Sequence, residues 1–381
     1  MSTDISFSNA RIITPNHILE GQLCCKDNLI ANITSNSAEH KQSIDCQGDF
    51  LAPGLIELHT DNLEGHLQPR PGVHWPRRAA ILAHDAELVG VGITTVLDAL
   101  RVGSIVSRKD GDYIPYAREV ATEIQSMSKL GVLKARHHLH LRAEICSETL
   151  IDEIGSFDEN DDVRMISMMD HTPGQRQFRN LDKFREYLQG KHGMSPAEVD
   201  AHFQGLYDLQ SKVGKPHARA IAEHAKTYNV PLASHDDATK DDVIASITAG
   251  ATLAEFPTTI EAASLCREAN QSIIMGAPNL IRGGSHSGNV AAHDLADLDM
   301  LDILSSDYVP ASLLMSAWKL SQQLGDIPKA MRTVTFNPAS ALGLNDRGAL
   351  EEGRKADLVR FRIIDNIPQV VSVYVNAQRV A

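Results

Sequence analysis

The chain has no apolar run long enough to cross a bilayer: stretches such as LIEL at 55–58 and SIIMGAP at 272–278 fall far short of the roughly 20 residues required. Its N-terminal MSTDISFSNARIITPN holds no apolar core behind a basic start, so nothing there reads as a secretory signal, and a cytoplasmic protein is the expectation. Cys-x-x-Cys is absent, and the five cysteines are an odd number. That argues against a disulfide framework or a thiolate zinc site, and Cys24, Cys25, Cys46, Cys146 and Cys266 are expected as buried free thiols. A basic surplus is missing too: 36 Lys and Arg face 49 Asp and Glu, for a net charge of −13. Generic nucleic-acid or anionic-membrane partners are therefore not expected, whereas a small anionic substrate remains compatible, because local arginines and a metal can reverse the field inside a pocket. No GxGxxG or GxxxxGK[ST] follows any apolar run, which weakens nucleotide-binding readings. There is no internal repeat and no low-complexity tract.

What remains is an ordinary globular composition, 43% hydrophobic and 22% charged, over 381 residues. At about 150 residues per domain this suggests two domains, although one α/β barrel can reach about 250. Both ends alternate apolar and polar positions as half-buried strands do, so residues 1–52 and 344–381 are expected to build one small β-sandwich domain. Between them, at 53–343, eight short apolar runs end in polar residues and lead into helix-like stretches. They are LAPGLIELHTD, GITTVLDAL, HLHLRAE, VRMISMMDH, VPLASHDD, ATLAEFPT, SIIMGAPN and MLDILSSD. This α/β pattern predicts a (β/α)8 TIM-like barrel with chemistry at the strand C-termini. A polar helical insertion over about 177–225, after the fourth strand, reads equally as a lid or as a solvated decoration.

Histidine, at 17 residues, is the unusual component. His59 and Asp61, two apart on the first strand, share a face and offer an imidazole and a carboxylate to a divalent ion. Alone, such a pair is more often a surface hydrogen bond. Other strand ends add to it: Glu144 with Arg142 and His140 on its face, Asp170–His171, Ser234–His235–Asp236, Glu255 and Asp307. Buried charges must be paired or bound to metal, and one or two divalent ions (Zn, Mn or Fe) would satisfy many of these groups together. A metal with an open position acidifies water and so supplies a nucleophile at neutral pH. Asp307 is the chosen catalytic residue, accepting the water's proton.

The stretches LAPGLIELHTDNLEGHLQPRPGVHWP, GITTVLDAL, MMDHTPGQRQF, LASHDDAT, AEFPTTIEAA, MGAPNLIRGGSHSGNVAA and LDILSSDYVPASLL, with the tail RGALEEGRKADLV, resemble the amidohydrolase superfamily. More narrowly they resemble its phosphonate-metabolism branch, the PhnM diphosphatases of the carbon–phosphorus lyase pathway. The resemblance runs in order from about residue 5 to 380. It implies a metal-dependent hydrolase that releases pyrophosphate from α-D-ribose 1-methylphosphonate 5-triphosphate, leaving the 5-phosphate. It places metal ligands on His59, Asp61, Glu144, His235 and Asp307, with His171 ranked above Glu255 as a further ligand. A triphosphate needs cationic and N–H donors besides metal; Arg176, Arg179, Arg282, the amides of Gly283 and Gly284, and Ser285, His286 and Ser287 are the candidates. Arg70, Arg77 and Arg78 are expected to wall the pocket. The expected partner is a small phosphorylated sugar, and a homo-oligomer is compatible with the sequence. Two rivals stay open: another amidohydrolase, opening a cyclic amide or removing an acyl group, and a non-catalytic scaffold.

Overall fold

The computed structural model describes residues 4–35, 43–103, 115–176, 181–285 and 288–381. Five strands open the chain: β1 (Ile5–Ile13), β2 (Ile18–Lys26), β3 (Leu29–Thr34), β4 (Ser43–Asp45) and β5 (Phe50–Pro53). Eight run through its middle: β6 (Leu55–Thr60), β7 (Ile93–Val102), β8 (Arg136–Glu144), β9 (Val163–Met169), β10 (Leu232–His235), β11 (Leu253–Glu255), β12 (Ser272–Gly276) and β13 (Ile303–Ser305). Then come β14 (Leu358–Ile364), β15 (Ile367–Val375) and β16 (Gln378–Arg379).

The eight middle strands correspond one for one to the eight apolar runs. They pair in parallel and in sequence order from β6 to β13. The ring closes through a bridge between Thr60 and Asp307. There Asp61 N–H donates to Asp307 O at 3.2 Å and Asp307 N–H to His59 O at 3.2 Å. Glu57 reinforces this seam: its Oε1 accepts from His59 N–H at 2.8 Å and Ser305 Oγ at 2.7 Å, and its Oε2 from Ser306 N–H at 2.6 Å. Burial pushes Glu57 up, and these hydrogen bonds oppose the shift. The barrel is therefore stitched shut at the same height as the candidate ligands.

Strand alternation sorts the side chains. On β8, Leu139, Leu141 and Ala143 join the apolar layer beneath the outer helices, so His138, His140, Arg142 and Glu144 face the barrel interior. Below them Ile56, Leu58, Leu97, Met165, Ala233, Leu253, Ile274 and Ile303 fill the barrel, which makes its lower part a packed core and leaves chemistry to the upper edge.

The two chain ends meet in one eight-stranded mixed sheet, ordered β16-β15-β14-β5-β1-β2-β3 with β4 on β1. The run LAPGLIELHTD thus serves both sheets, β5 in the terminal one and β6 in the barrel. The switch falls on Gly54, whose N–H donates to Asp357 O at 2.8 Å. A Cβ there would lie 2.2 Å from Thr94 Oγ1, so only glycine lets the strands come that close. Phe50 stacks on Phe361 at 5.2 Å and meets Trp318 at 5.9 Å, fastening the sheet to the barrel's helices.

The segment read as a 177–225 insertion divides. Helices Leu181–His192 and Pro196–Leu209 form a unit with its own small core of Phe184, Leu188, Val199 and Phe203. After a wide turn at Gln210–Gly214, helix Lys215–Tyr228 lays Ile221, Ala222 and Ala225 onto the barrel and belongs to it. Its apolar stripe was masked in the sequence by charged neighbours. All five cysteines are free, four of them buried.

Candidate metal centre

His59 and His235 enter the barrel mouth from β6 and β10, their rings stacked with centroids 5.6 Å apart. Glu255, at the end of β11, lies between them. Its Oε1 is 2.8 Å from His59 Nδ1 and its Oε2 is 3.1 Å from His235 Nδ1. Burial disfavours the Glu255 carboxylate, but His59 and His140, with the hydrogen bonds from His235 and His59, outweigh it and hold Glu255 well below the usual range. An ionised carboxylate only accepts, so both rings carry their proton on Nδ1. Nε2 of each ring is then the atom placed to meet a metal, that of His235 lying 3.3 Å from Asp236 Oδ2. The ligand atoms of these three buried residues all lie within 4.8 Å of one another. Phe256 packs edge-on against both rings, at 5.2 and 5.3 Å.

Glu144 comes from β8 and pairs through Oε2 with His171 Nδ1, just past β9. The His171 ring is 6.5 Å from that of His235. Asp307, beyond β13, is placed beside His59 and Asp61 by the seam hydrogen bonds. Burial pushes its carboxyl up, with His59 opposing and Asp61 reinforcing the shift. Asp61 Oδ2 accepts from Arg142 Nη1 at 3.2 Å. Asp236, Phe256 and Asp307 all hold positive φ, at +57°, +55° and +56°. Strain of this kind, especially at an aromatic residue, clusters where strand ends are bent to aim side chains. The six ligand candidates His59, Asp61, Glu144, His171, His235 and Asp307 thus come together at one end of the barrel.

The phosphate candidates fare differently. Arg176 Nη1 donates to His235 O and Asp237 Oδ1, both at 2.6 Å, so it braces the end of β10. Arg282 is exposed at the end of helix Ala277–Arg282. The Gly283 and Gly284 amides, expected to meet phosphate, instead donate to Leu280 O at 3.3 Å and Asn279 O at 2.9 Å. They cap that helix, with Gly283 at φ +78° as such a cap requires. Ser285 follows in the same loop, while Arg179, His286 and Ser287 lie outside the described residues. Arg77 and Arg78 pair on the surface with Glu119 and Glu123.

A second histidine–carboxylate cluster went unnoticed in the sequence because it spans a helix and two strands. His84, Asp98 and His137 lie buried between helix Arg77–Gly90 and the barrel wall. Asn62 Nδ2 donates to Glu87 Oε2 at 2.9 Å and lies 3.2 Å from His84 Nδ1. His84 must then be protonated on Nε2, which faces Asp98 Oδ1 at 2.9 Å. His137 donates from Nδ1 to Asp98 at 2.8 Å and from Nε2 to Asp85 at 3.2 Å. Burial works against its charge, yet Asp98 and Asp85 prevail and push His137 up to about 9. Every ring nitrogen has a hydrogen-bond role, so this cluster is complete without a metal and ties the helix to the barrel.

The barrel-mouth group adds Glu144, His171, Asp61 and Asp307 to the His59–Glu255–His235 set, and so gathers more nitrogen and carboxylate donors in one place than this second cluster does. A family model describing amidohydrolases matches residues 50–380. The chain belongs to the amidohydrolase family. Proteins of this family use divalent metal ions, and the nitrogen and carboxylate donors of the amidohydrolase mouth described above fit such an ion. The chain is 42% identical over 376 residues to α-D-ribose 1-methylphosphonate 5-triphosphate diphosphatase of Escherichia coli (strain K12), covering 98% of this chain and 99% of that one. Among solved structures, N-acetylglucosamine-6-phosphate deacetylase from Pasteurella multocida matches with TM-score 0.63 and 16% identity, over 99% of this chain and 100% of the other. 5-Methylcytosine deaminase from Klebsiella pneumoniae matches with TM-score 0.65 and 15% identity, over 99% and 98%. At such identities these two structures speak for the fold alone.

Proposed function

We propose that this amidohydrolase is a metal-dependent diphosphatase acting on α-D-ribose 1-methylphosphonate 5-triphosphate, releasing pyrophosphate and leaving the 5-phosphate. The convergence of His59, Glu144, His235 and Asp307 on one barrel mouth carries the reading, and the full-length similarity to the E. coli enzyme selects the substrate. His59 and His235, through Nε2, with Glu144, Asp307, Asp61 and His171, would hold one or two divalent ions. Bound there, the ion lowers the pKa of water and neutralises phosphate charge. Glu255 holds both imidazoles in the Nδ1–H form and fixes their aim. Asp307 takes the proton of the attacking water at its carboxylate. Phe256 shields the inner side of the two rings from water. The turn that follows the insertion helices touches this region where Gln210 Nε2 donates to Asp170 Oδ2 at 3.3 Å, which suits the insertion to govern substrate entry.

The test is to load purified protein with Zn, Mn or Fe in turn and follow ribose 1-methylphosphonate 5-triphosphate by phosphorus NMR. Stoichiometric pyrophosphate is the expected product. Orthophosphate alone, or no turnover with any of the metals while a cyclic amide or an N-acetyl sugar is cleaved, would replace this reading with an amide-hydrolase one.

A further inference from the structure

Two arginines stand side by side in the barrel mouth. In the parallel β7–β8 ladder Arg101 is the register partner of Arg142. Leu100 and Val102 on β7, like Leu139, Leu141 and Ala143 on β8, lie in the outer apolar layer. Strand alternation therefore turns both guanidiniums inward, on the same face as Glu144 and above Leu97 of the barrel core. Like charges on directly neighbouring strand positions repel. The carboxylates of Asp61, Glu64 and Asp307 offset part of that repulsion at Arg142; an anion that bridges the two guanidiniums adds to that offset.

The surroundings keep the pair in place. The Arg101 N–H donates to the Tyr116 hydroxyl at 3.1 Å, which in turn donates to Glu64 Oε1 at 2.5 Å. Gly103, at φ +93°, lets the end of β7 press against β8; a Cβ there would sit 3.0 Å from Glu144 O. Arg142 reaches Asp61 with Nη1, while its buried Nε has no hydrogen-bond partner among the described residues. Its side chain is only 15% exposed, and Glu64 and Asp307 also lie in its field. A half-used, largely buried guanidinium beside a second arginine matches the several oxygens of a phosphoryl group, which the planar fork engages two at a time.

We propose that Arg101 and Arg142 form the seat for the departing end of the triphosphate. The inference rests on the diphosphatase reading for the identity of the anion. Because Arg142 already touches Asp61 and faces Asp307, the phosphoryl group seated there adjoins the bond to be cleaved and leaves as part of pyrophosphate.

Calorimetric titration of the metal-loaded protein with inorganic pyrophosphate tests this, using Arg101→Gln, Arg142→Gln and Arg142→Lys. With metal supplied in excess so that its occupancy equals that of wild type, each glutamine variant is expected to lose about tenfold or more in pyrophosphate affinity, the cost of one charged hydrogen-bonding partner, with the thermal midpoint retained. R142K, which keeps a charge beside Asp61, should fall between wild type and R142Q, and serves as the comparison should R142Q not fold. Pyrophosphate affinity within twofold of wild type in R101Q and in R142K or R142Q overturns the seat. If wild-type protein shows the predicted losses in its variants but cleaves no sugar triphosphate, the seat stands and the diphosphatase reading falls. If it cleaves the triphosphate while the variants bind pyrophosphate unchanged, the reverse holds.

Discussion

Replacing Glu255 by Gln would leave the volume of the site nearly untouched and remove one property, the ability to accept a hydrogen bond on each of two oxygens at once. The carboxylate takes Nδ1–H of His59 on one oxygen and Nδ1–H of His235 on the other. Glutamine offers one accepting oxygen and one NH2 group, so one imidazole must face a donor and turn to its other tautomer. That ring then carries its proton on Nε2, the atom proposed to bind metal. Losing such an orienting partner typically costs about 10- to 100-fold in metal affinity, or roughly 1.4 to 2.7 kcal/mol. Competition against a chelating dye at pH 7.5 measures this directly, and the unfolding midpoint of metal-free protein reports separately on the fold. An affinity within twofold of wild type would show that Glu255 does not set the tautomers. A loss beyond about ten-thousandfold would make it a direct ligand, and the account of the two Nε2 atoms would fail.

Three further outcomes are expected. Asp307→Asn should keep its metal and fold but lose about 10²- to 10⁴-fold in kcat, the range for removing a general base; near-normal turnover in a steady-state pyrophosphate-release assay would remove Asp307 from the mechanism. His137, raised from 6.5 to about 9, stabilises the fold fully below its unfolded value, and that contribution fades as pH rises through about 9. Urea unfolding should therefore show on the order of 3 kcal/mol lost between pH 7 and 10, a slope that His137→Gln flattens; Asp98 and Asp85, held below their usual range, give the opposite loss only in acid. Gly54→Ala, forcing a methyl to 2.2 Å from Thr94 Oγ1, should destabilise by about 1–3 kcal/mol in the same urea experiment, and an unchanged midpoint would show that the crossing between the sheets can relax.

The alternation of short apolar runs with helical stretches determined the barrel, because a strand buried on both faces must be apolar along its length and its polar residues are pushed to the ends. That same pressure made His59, Glu144, His235 and Asp307 visible as candidates: each closes an apolar run where buried charge is otherwise unfavourable. Local pattern could not say what meets what across the ring. Whether Glu255 is a ligand or the clamp on two histidines depends on which strands β11 adjoins, which register and closure decide. The glycines of IRGGSHS read as a phosphate loop, yet Gly283 and Gly284 cap a helix, since a short-range signal for positive φ is the same in both uses. Arg101 carried no signal at all, being one arginine at the end of an apolar run. Only the β7–β8 register sets it against Arg142, and only the fold of helix Arg77–Gly90 onto the wall assembles His84, Asp98 and His137. Long-range pairing is a property of chain closure, and it is there that composition and periodicity stop informing.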